Sequence, residues 1–407
     1  MTLLGEGAMQ TNAQSSLELF GNVEPPWRVA ARQQGSRYIM QGSETKRALD
    51  KYHLIFAPTH ACNLRCGHCY LHDHEADLLP QEVALRLVDE WAELVANERG
   101  PFGGIFHVKG GEPFVVPYIG NLFDRVVESG SLELMITTNG TILSAKSRAA
   151  LSRASALGSR FTIIVSIDGS TEQTHDFLRG SGSFALSMEF LKYVAELGVT
   201  IHFNSVLYRE NLHQISDIVQ LARTFGAAQV NFLPFVSKGF GEHLKHAQIP
   251  HVKAFEALQE FYENSTPDVR KMLIGSAPDL LRREKDGLAR LSHECVAAYR
   301  GLFYIKPDGS AYTCPNIENP RYSIGNVKSS SLADLSDRLG ELHAKLRSRR
   351  GDDSLICIGE SLLYEFRNDA PNIISLQTMQ ANAAALRKPS NADRPVEALA
   401  YCVSRNF

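Results

Sequence analysis

A loop with three closely spaced cysteines constrains this chain more than any other feature. Cys62, Cys66 and Cys69 follow the pattern Cys-x3-Cys-x2-Cys, directly after the apolar run 54–58. Gly67 lets the backbone turn tightly, so that the three thiols can face one centre. Cysteine thiolates are the usual ligands of iron–sulfur clusters. Because a four-iron cluster has four corners, three cysteines would leave one iron open, and an open metal position is where chemistry can occur.

Two other interpretations of these cysteines stay open at this point. Four histidines lie near them in the sequence, and thiols and imidazoles together could form a structural zinc site. These histidines are His60, His68, His72 and His74. The cysteines could also be unrelated buried thiols, because free cysteine is among the most buried residue types.

The composition is that of an ordinary globular protein. Hydrophobic residues make up 44% of the chain and charged residues 21%. A length of 407 residues is enough for one large α/β domain and a smaller one. The formal net charge of −3 argues against the broad basic surface of a nucleic-acid-binding protein. No apolar run approaches the ~20 residues of a membrane span, and residues 1–16 lack the pattern of a secretory signal. We therefore expect neither nucleic acid nor membrane as a partner.

Cysteine usage indicates the cellular compartment. The seven cysteines are an odd number, and three of them share one loop, which argues against a disulfide framework. A cytoplasmic location is expected, because the cytoplasm is reducing and an oxygen-sensitive cluster would require such conditions.

Apolar runs and helical patterns alternate along residues 53–233. Six runs are predicted strands, at 53–57, 105–108, 132–137, 161–167, 200–206 and 229–233. The helical patterns between them lie at 80–97, 118–128, 145–156, 184–197 and 212–225. Six alternating β/α units predict a parallel sheet, curled or open.

Polar motifs follow four of the predicted strands at the same end. They are the cysteine loop, Gly110-Gly111-Glu112-Pro113, Thr137-Thr138-Asn139-Gly140 and Ser166-Ile167-Asp168-Gly169. In a barrel the carboxyl ends of the strands carry the working loops, so these motifs are expected to build one composite site. A Gly-Gly pair, which has no Cβ, lets a ligand approach the backbone closely. Each motif alone is also typical of a turn, and Asp168 could equally cap a helix or turn.

The order of these motifs resembles the radical S-adenosylmethionine (radical SAM) superfamily. The resemblance implies a (β/α)6 partial TIM-like barrel and a [4Fe–4S] cluster on Cys62, Cys66 and Cys69, with S-adenosyl-L-methionine (SAM) on the open iron. Matching positions imply SAM contacts as follows: Gly110, Gly111 and Glu112 for its amino end, Asn139, Ser166 and Arg179 for its ribose or carboxylate, and Tyr70 for its adenine. A guanidinium suits a carboxylate because it can donate two parallel hydrogen bonds.

A second cysteine pattern lies nearer the C-terminus. Cys295 and Cys314 flank the aromatic run 302–305 and the turn Pro307-Asp308-Gly309, which is a hairpin signal. The pattern resembles the SPASM/Twitch extension of radical SAM enzymes, which implies one auxiliary [4Fe–4S] cluster. Cys357 and Cys402 could complete four ligands for that cluster. Glu360 stands where a full SPASM extension would carry a further thiol.

The last two cysteines also allow other roles. Either Cys357 or Cys402 could be a buried apolar thiol. Cys402 could instead donate a hydrogen atom, as a thiol does in some radical SAM epimerases.

Four segments are expected from these patterns. They are a tail with a strand at 1–50, the radical SAM partial barrel at 51–240, bridging helices at 241–290 and the SPASM/Twitch-like auxiliary-cluster region at 291–407. The bridging segment has helical patterns at 252–264 and 268–285.

The resemblance implies a radical SAM oxidoreductase. Such an enzyme takes an electron from a donor such as flavodoxin or ferredoxin, cleaves SAM to a 5′-deoxyadenosyl radical and abstracts a hydrogen atom from a substrate C–H bond. We expect a peptide substrate that is cross-linked, oxidised or epimerised. The alternatives are oxidation, epimerisation or decarboxylation of a small molecule or tetrapyrrole, and a non-catalytic metal-binding protein.

Overall fold

The computed structural model describes residues 52–71, 77–99, 103–235, 237, 239–273, 281–283, 289–291, 302–313, 315, 320 and 323–348. The expectations for residues 1–50 and for Cys295, Cys314, Cys357 and Cys402 lie outside this part of the chain.

Six consecutive parallel strands form the centre of the fold. They are β1 Tyr52–Phe56, β2 Gly104–Val108, β3 Leu132–Thr138, β4 Phe161–Ser166, β5 Thr200–Leu207 and β6 Gln229–Pro234. Each strand pairs with the next in sequence, so their order in the sheet is their order in the chain. The intervening helices are α1 Gln81–Arg99, α2 Ile119–Ser129, α3 Ala145–Ala154, α4 Glu172–Arg179, α5 Ser183–Glu196 and α6 Ile215–Thr224. The expected six-unit partial barrel is confirmed.

The two faces of the sheet differ in polarity, and this difference separates core from site. Leu54, Phe106 and Ile136 of neighbouring strands are fully buried on the face covered by the helices. Trp91 of α1 belongs to this core, and its Nε1 donates to the carbonyl of Ile105 at 3.1 Å. Polar side chains occupy some of the alternating positions of the same strands, among them His53, His107 and Thr137, which face the other side because side chains along a strand have a period of two. Polar groups therefore line the inside of the curled sheet.

Capping residues place the helices around the sheet. Ser144 caps α3 by accepting from the backbone N–H of Ser147, and Thr171 caps α4 by accepting from that of Thr174. Gly130 ends α2 in the left-handed conformation at φ 66°. α4 was not predicted from the sequence, although Thr171 before it and Gly180 after it are start and stop signals.

The predicted hairpin is present, and it extends the barrel sheet. Strands β9 Leu302–Ile305 and β10 Ser310–Tyr312 are antiparallel across the turn at Gly309, whose φ is +87°. β9 also pairs in parallel with β1, giving the order β11-β10-β9-β1-β2-β3-β4-β5-β6, where β11 is Gly325–Asn326. An unpaired edge of β1 would expose backbone groups, and β9 covers that edge.

Beyond β6, the connection contains short elements. A 3₁₀ segment at Gly239–Ala247 precedes α7 His251–Asn264 and α8 Pro267–Met272, and the final described helix is α9 Leu332–Ser348. The predicted helix at 268–285 is wrong beyond α8, because Leu281–Arg283 (β7) pairs with Ala289–Leu291 (β8). Pro278 disfavours a continuous helix, and Asp286-Gly287 is a hairpin turn signal. In the described residues, no helix has both the length and the apolar character needed to cross a membrane.

Candidate active site

The motifs that follow the strands converge on one cavity of about 250 Å³. Nine of the predicted residues line its wall: Cys62, Cys66, Cys69, Tyr70, Gly110, Gly111, Asn139, Ser166 and Arg179. The cavity lies at the carboxyl ends of the parallel strands, where barrel enzymes carry their working loops. Pro315, next to Cys314 in the sequence, also lines it.

The cysteine loop is braced by two segments that are distant in sequence. The backbone N–H of Gly67 donates to the carbonyl of Leu178 in α4 at 2.8 Å, and that of Gly241 donates to the carbonyl of Cys69 at 3.2 Å. A Cβ on Gly67 would run into the side chain of Leu244. The 3₁₀ segment 239–247, expected only as a connection, therefore shapes the loop that carries the thiols.

The donor chemistry of the loop fits an iron–sulfur cluster. None of the three cysteines forms a disulfide among the described residues; each is partly buried, and all line the cavity. Burial raises the pKa of the Cys66 thiol to about 12, so this sulfur becomes a thiolate only when a nearby cation compensates the charge. Among the described residues, no three His, Cys, Asp or Glu side chains are grouped to hold a single metal ion. A cubane does not require such grouping, because each thiolate binds a different iron.

The Gly110-Gly111 pair packs closely against the backbone of residues 59–61. The backbone N–H of Gly111 donates to the carbonyl of Thr59 at 2.9 Å, and that of Glu112 donates to the carbonyl of Ala61 at 3.0 Å. A Cβ on Gly111 would collide with the carbonyl oxygens of His60 and Ala61, and Gly110 has a φ of +132°. The glycines therefore let the loop after β2 lie against the cysteine loop. The contact of Gly110 and Gly111 with SAM, which the sequence motifs led us to expect, stays a prediction.

Glu112 lies behind the cavity wall rather than in it. Its carboxylate accepts from the backbone N–H of Phe114 at 3.1 Å and of Asn139 at 2.8 Å, and from the hydroxyl of Thr138 at 2.7 Å. Burial raises the pKa of Glu112 to about 7, although these hydrogen bonds favour the ionised form. Glu112 thus connects the loop after β2 to the loop after β3. Its predicted contact with the amino end of SAM is untested.

Asn139 connects the β3 loop to the cysteine loop. Its side-chain amide donates to Asn63 Oδ1 at 3.0 Å and lies 3.7 Å from the Sγ of Cys62, while its own oxygen accepts from the backbone N–H of Thr141. Ser166 stands at the end of β4 on the cavity wall. The predicted contacts of Asn139, Ser166 and Tyr70 with SAM stay predictions.

Asp168 anchors a buried ionic cluster instead of capping a helix. Its Oδ2 accepts from Arg179 Nε at 2.6 Å and lies 3.3 Å from His68 Nε2, and its Oδ1 accepts from the backbone N–H of Val206 at 2.7 Å. Burial lowers the pKa of His68 to about 4, so the imidazole is neutral in this contact. The signal that could have revealed the cluster is an acidic residue at the end of a buried strand, eleven positions before an arginine.

Sequence reasoning missed several polar residues on the inside of the barrel. Lys109, Thr137 and Asn204 line the cavity from three different strands or their ends. His107 contacts Thr137 at 2.8 Å, and its other ring nitrogen lies 3.0 Å from His53. Polar residues at alternate positions of otherwise apolar strands were the available signal.

Two family models match separate parts of the chain. Residues 56–222 match the model of the radical SAM superfamily, and residues 295–357 match that of the SPASM iron–sulfur cluster-binding domain. Together the two matches cover more than half of the 407 residues. The second match begins at Cys295 and ends at Cys357.

Two relatives are identical to this chain at about a quarter of the aligned positions. The antilisterial bacteriocin subtilosin biosynthesis protein AlbA of Bacillus subtilis is 25% identical over 297 residues, which are 72% of this chain but only 61% of AlbA. The chain thus spans about three fifths of AlbA's length. The AdoMet-dependent heme synthase of Nitratidesulfovibrio vulgaris is 25% identical over 316 residues, covering 74% of this chain and 81% of that protein.

Solved structures share the fold. Streptococcus suis SuiB bound to precursor peptide SuiA superimposes with a TM-score of 0.52 at 16% identity, covering 81% of this chain and 76% of SuiB. At this identity the likeness concerns the fold alone.

Proposed function

The chain belongs to the radical SAM superfamily, and from this premise we propose that it is an enzyme that modifies a peptide at a C–H bond. It carries a SPASM domain, and its cofactors are a [4Fe–4S] cluster with SAM and auxiliary iron–sulfur. The observation that carries the proposal is that the three thiols of one loop and the Asp168-anchored Arg179 line the same cavity.

The residues of the cavity have separate tasks in this proposal. Cys62, Cys66 and Cys69 hold the cluster, and Arg179 holds the carboxylate of SAM. With both bound, the site would supply radical chemistry at a substrate C–H bond, using one electron from an external donor. Glu112 keeps the loops after β2 and β3 in register through its hydrogen bonds. The protein thus contributes the positioning of the reacting groups, which can be a large part of an enzyme's rate enhancement.

One relative supports a peptide substrate. AlbA acts in bacteriocin biosynthesis. SuiB, whose structure contains a precursor peptide, shares the fold. The expected modifications are a cross-link, an oxidation or an epimerisation. An electron donor such as flavodoxin or ferredoxin would supply the reducing electron.

A second candidate is modification of a tetrapyrrole. The heme synthase of N. vulgaris has the same identity to this chain as AlbA, 25%. The match covers 81% of the heme synthase but 61% of AlbA. The same cavity would then hold a tetrapyrrole side chain rather than a peptide residue.

Release of 5′-deoxyadenosine tests the chemistry. Anaerobically reconstituted protein with dithionite and SAM should form 5′-deoxyadenosine, and Cys66→Ala should abolish it. Arg65→Lys is the matched control, because this exposed side chain lies in the same loop and, within the described part of the chain, donates to the backbone carbonyls of Cys62 and Leu64. Equal turnover in Cys66→Ala and wild type would remove the proposed mechanism.

Mass spectrometry of products separates the two substrate classes. Reduced enzyme and SAM are incubated with peptides encoded next to the gene, and separately with tetrapyrroles. A mass change in a peptide supports peptide modification. A change only in a tetrapyrrole overturns that choice and leaves the radical chemistry intact.

A further inference from the structure

The side-chain amide of Asn139 lies against the sulfur of Cys62, the first thiol of the cysteine loop. Its Nδ2 donates to the Sγ of Cys62 at 3.7 Å. A second donor reaches the same sulfur, because the backbone N–H of Leu64 donates to it at 3.4 Å. Cys62 therefore receives one hydrogen bond from its own loop and one from the loop after β3.

A backbone contact identifies the amide atom that faces Cys62. The backbone N–H of Thr141 can only donate, and it donates to the other atom of the Asn139 amide at 2.9 Å. That atom must be the oxygen, so the nitrogen is the atom that faces Cys62 and Asn63. Asn139 thus presents an N–H group to the thiol, and not its carbonyl oxygen.

A closed ring of hydrogen bonds holds the amide in this orientation. Asn139 Nδ2 donates to Asn63 Oδ1 at 3.0 Å, and Asn63 Nδ2 donates to Thr141 Oγ1 at 2.8 Å. Thr141 Oγ1 donates to Asn139 Oδ1 at 2.6 Å, which closes the ring. Each group in the ring donates once and accepts once, and hydrogen bonds linked in this way strengthen one another.

The hydrogen-bonding capacity of the Asn139 side chain is filled by the chain itself. Its two N–H donors are taken by Asn63 and Cys62. Its two oxygen lone pairs are taken by the backbone N–H and the hydroxyl of Thr141. Asn139 is only 6% exposed, so water does not compete for these positions. No hydrogen-bonding position of this side chain is left for SAM.

A hydrogen bond to a ligand sulfur acts on the reduction of an iron–sulfur cluster. One-electron reduction adds a negative charge, and an N–H dipole aimed at a ligand sulfur stabilises that charge. Hydrogen bonds to the sulfurs are accordingly among the factors that set the reduction potential of these clusters. Loss of the Asn139 donor should therefore make a cluster on Cys62 harder to reduce.

We propose that Asn139 is a positioning residue for the cluster, whose N–H binds the sulfur of Cys62 and so raises the reduction potential. The assignment rests on the proposed function, in which Cys62 is one of the three cluster ligands. Asn139 then acts on the step in which an electron donor loses one electron and the cluster gains it. This role differs from the SAM contact that the sequence motifs led us to expect.

A redox titration followed by EPR provides the test. In reconstituted holoenzyme, the cluster of the cysteine loop is recognised as the one whose EPR signal SAM alters, and its potential is measured without SAM. In Asn139→Ala the equilibrium constant of one-electron reduction should fall about threefold to tenfold, which lowers the potential by about 30–60 mV. Asn139→Asp should lower the potential further, because it keeps an acceptor for Thr141 but places a negative charge beside Cys62.

Two control variants separate this effect from a general disturbance of the loops. Thr141→Val removes the hydroxyl from the ring but keeps the backbone N–H that orients Asn139, so the potential should change less than in Asn139→Ala. Asn121→Asp introduces the same charge at an exposed amide of α2 and should leave the potential unchanged. Iron content and thermal unfolding of each variant show that it is folded.

Isotope labelling gives a readout that does not depend on the potential. In holoenzyme labelled with ¹⁵N in the asparagine side chains, the reduced cluster should show a magnetic coupling to an amide nitrogen in pulsed EPR. Asn139→Asp has no nitrogen at this position and should lack the coupling. If Asn139→Ala does not take up iron, this coupling and the potential of Asn139→Asp still decide the question.

Three results would overturn the assignment. They are an unchanged potential in both Asn139 variants, equal shifts in Thr141→Val and Asn139→Ala, and no nitrogen coupling in wild type. An unchanged potential together with a loss of SAM affinity would make Asn139 a SAM contact instead. If wild type forms no SAM-responsive cluster, the ligand set of the proposed function fails as well. A normal cluster with an unchanged potential would overturn only the role of Asn139.

Discussion

Asp168 accepts the Nε–H of Arg179 at 2.6 Å in a pair that is buried beside the cysteine loop. The acceptor is fully buried and Arg179 is 8% exposed. Burial alone would raise the pKa of the Asp168 carboxyl, but the Arg179 guanidinium and the backbone N–H of Val206 hold that pKa below its ordinary value. Both groups therefore stay charged. Since Nε is used by Asp168, the outer edge of the guanidinium is the part that remains for a ligand in the cavity.

Removing one partner of this pair should cost stability. Asp168→Asn leaves Arg179 buried without its counter-charge, and the expected loss is about 3–5 kcal/mol in the free energy of unfolding. Urea unfolding measures the loss. The double variant Asp168→Asn with Arg179→Gln should recover part of it, because no uncompensated charge is left.

The same double variant separates stability from ligand binding. If the guanidinium binds the carboxylate of SAM, affinity for SAM should stay low in the double variant even where stability returns. The SAM-induced change in the cluster EPR spectrum reports this affinity. Full recovery of SAM binding in the absence of the guanidinium would contradict the role given to Arg179.

Gly111→Ala should prevent the cysteine loop from closing. The new Cβ would meet the carbonyl oxygens of His60 and Ala61, which belong to the backbone and cannot turn aside. We expect iron incorporation to fall well below that of wild type, measured as iron per chain after reconstitution. Gly198→Ala is the matched control. There the Cβ meets no atom within 4 Å, and only the φ of +68° is strained, at a cost of about 1–2 kcal/mol.

Glu112 should make stability fall as the pH rises. Its pKa is raised from 4.5 to about 7 by burial, so the folded protein favours the protonated carboxyl. The stabilisation is complete below pH 4.5 and is lost as the pH rises through 7, at about 1.4 kcal/mol per pH unit. Glu112→Gln does not titrate. Urea unfolding of iron-free protein at pH 5 and pH 7 should show wild type losing roughly 2–3 kcal/mol relative to the variant; a constant difference would contradict the shift.

His175 should have the opposite dependence on pH. Its pKa is lowered from 6.5 to about 4, first by burial and then by Arg179, so the folded protein disfavours the charged ring. The stabilisation is present above pH 6.5 and is lost as the pH falls toward 4. His175→Asn keeps an acceptor for the backbone N–H of Asp168, which now donates to Nδ1 at 3.2 Å. Wild type should lose about 2 kcal/mol relative to this variant between pH 6.5 and pH 5, measured by urea unfolding. An equal loss in both proteins would place the titrating group elsewhere.

The sequence predicted those parts of the fold that depend on neighbouring residues. The strands around His53, Phe106 and Phe203 were found within a few residues, because buried parallel strands are short apolar runs between helical patterns. The hairpin at Gly309 was found because Pro-Asp-Gly is a turn signal with its own mechanism. The helix proposed beyond Met272 failed because its period continued across proline and a hairpin turn.

The sequence predicted where the site lies, but not which side chains of the site contact one another. The sequence located the cysteine loop and the strand-end motifs, since a parallel sheet brings the carboxyl ends of its strands together whatever the side chains do. It did not indicate that Glu112 would bind the backbone of the next loop. Nor did it indicate that Lys109 would lie over the ring of Tyr304 from a strand almost two hundred residues later.

The sequence by itself determined the class of chemistry, because the spacing of Cys62, Cys66 and Cys69 and the order of the glycine motifs are local properties of the chain. Only the tertiary structure decided which charges are paired. Asp168 meets Arg179 and His68 because β4, α4 and the cysteine loop pack together, and β9 reaches Lys109 because it pairs with β1. Such contacts join residues far apart in the chain, and their energies depend on burial, which arises only when the barrel closes.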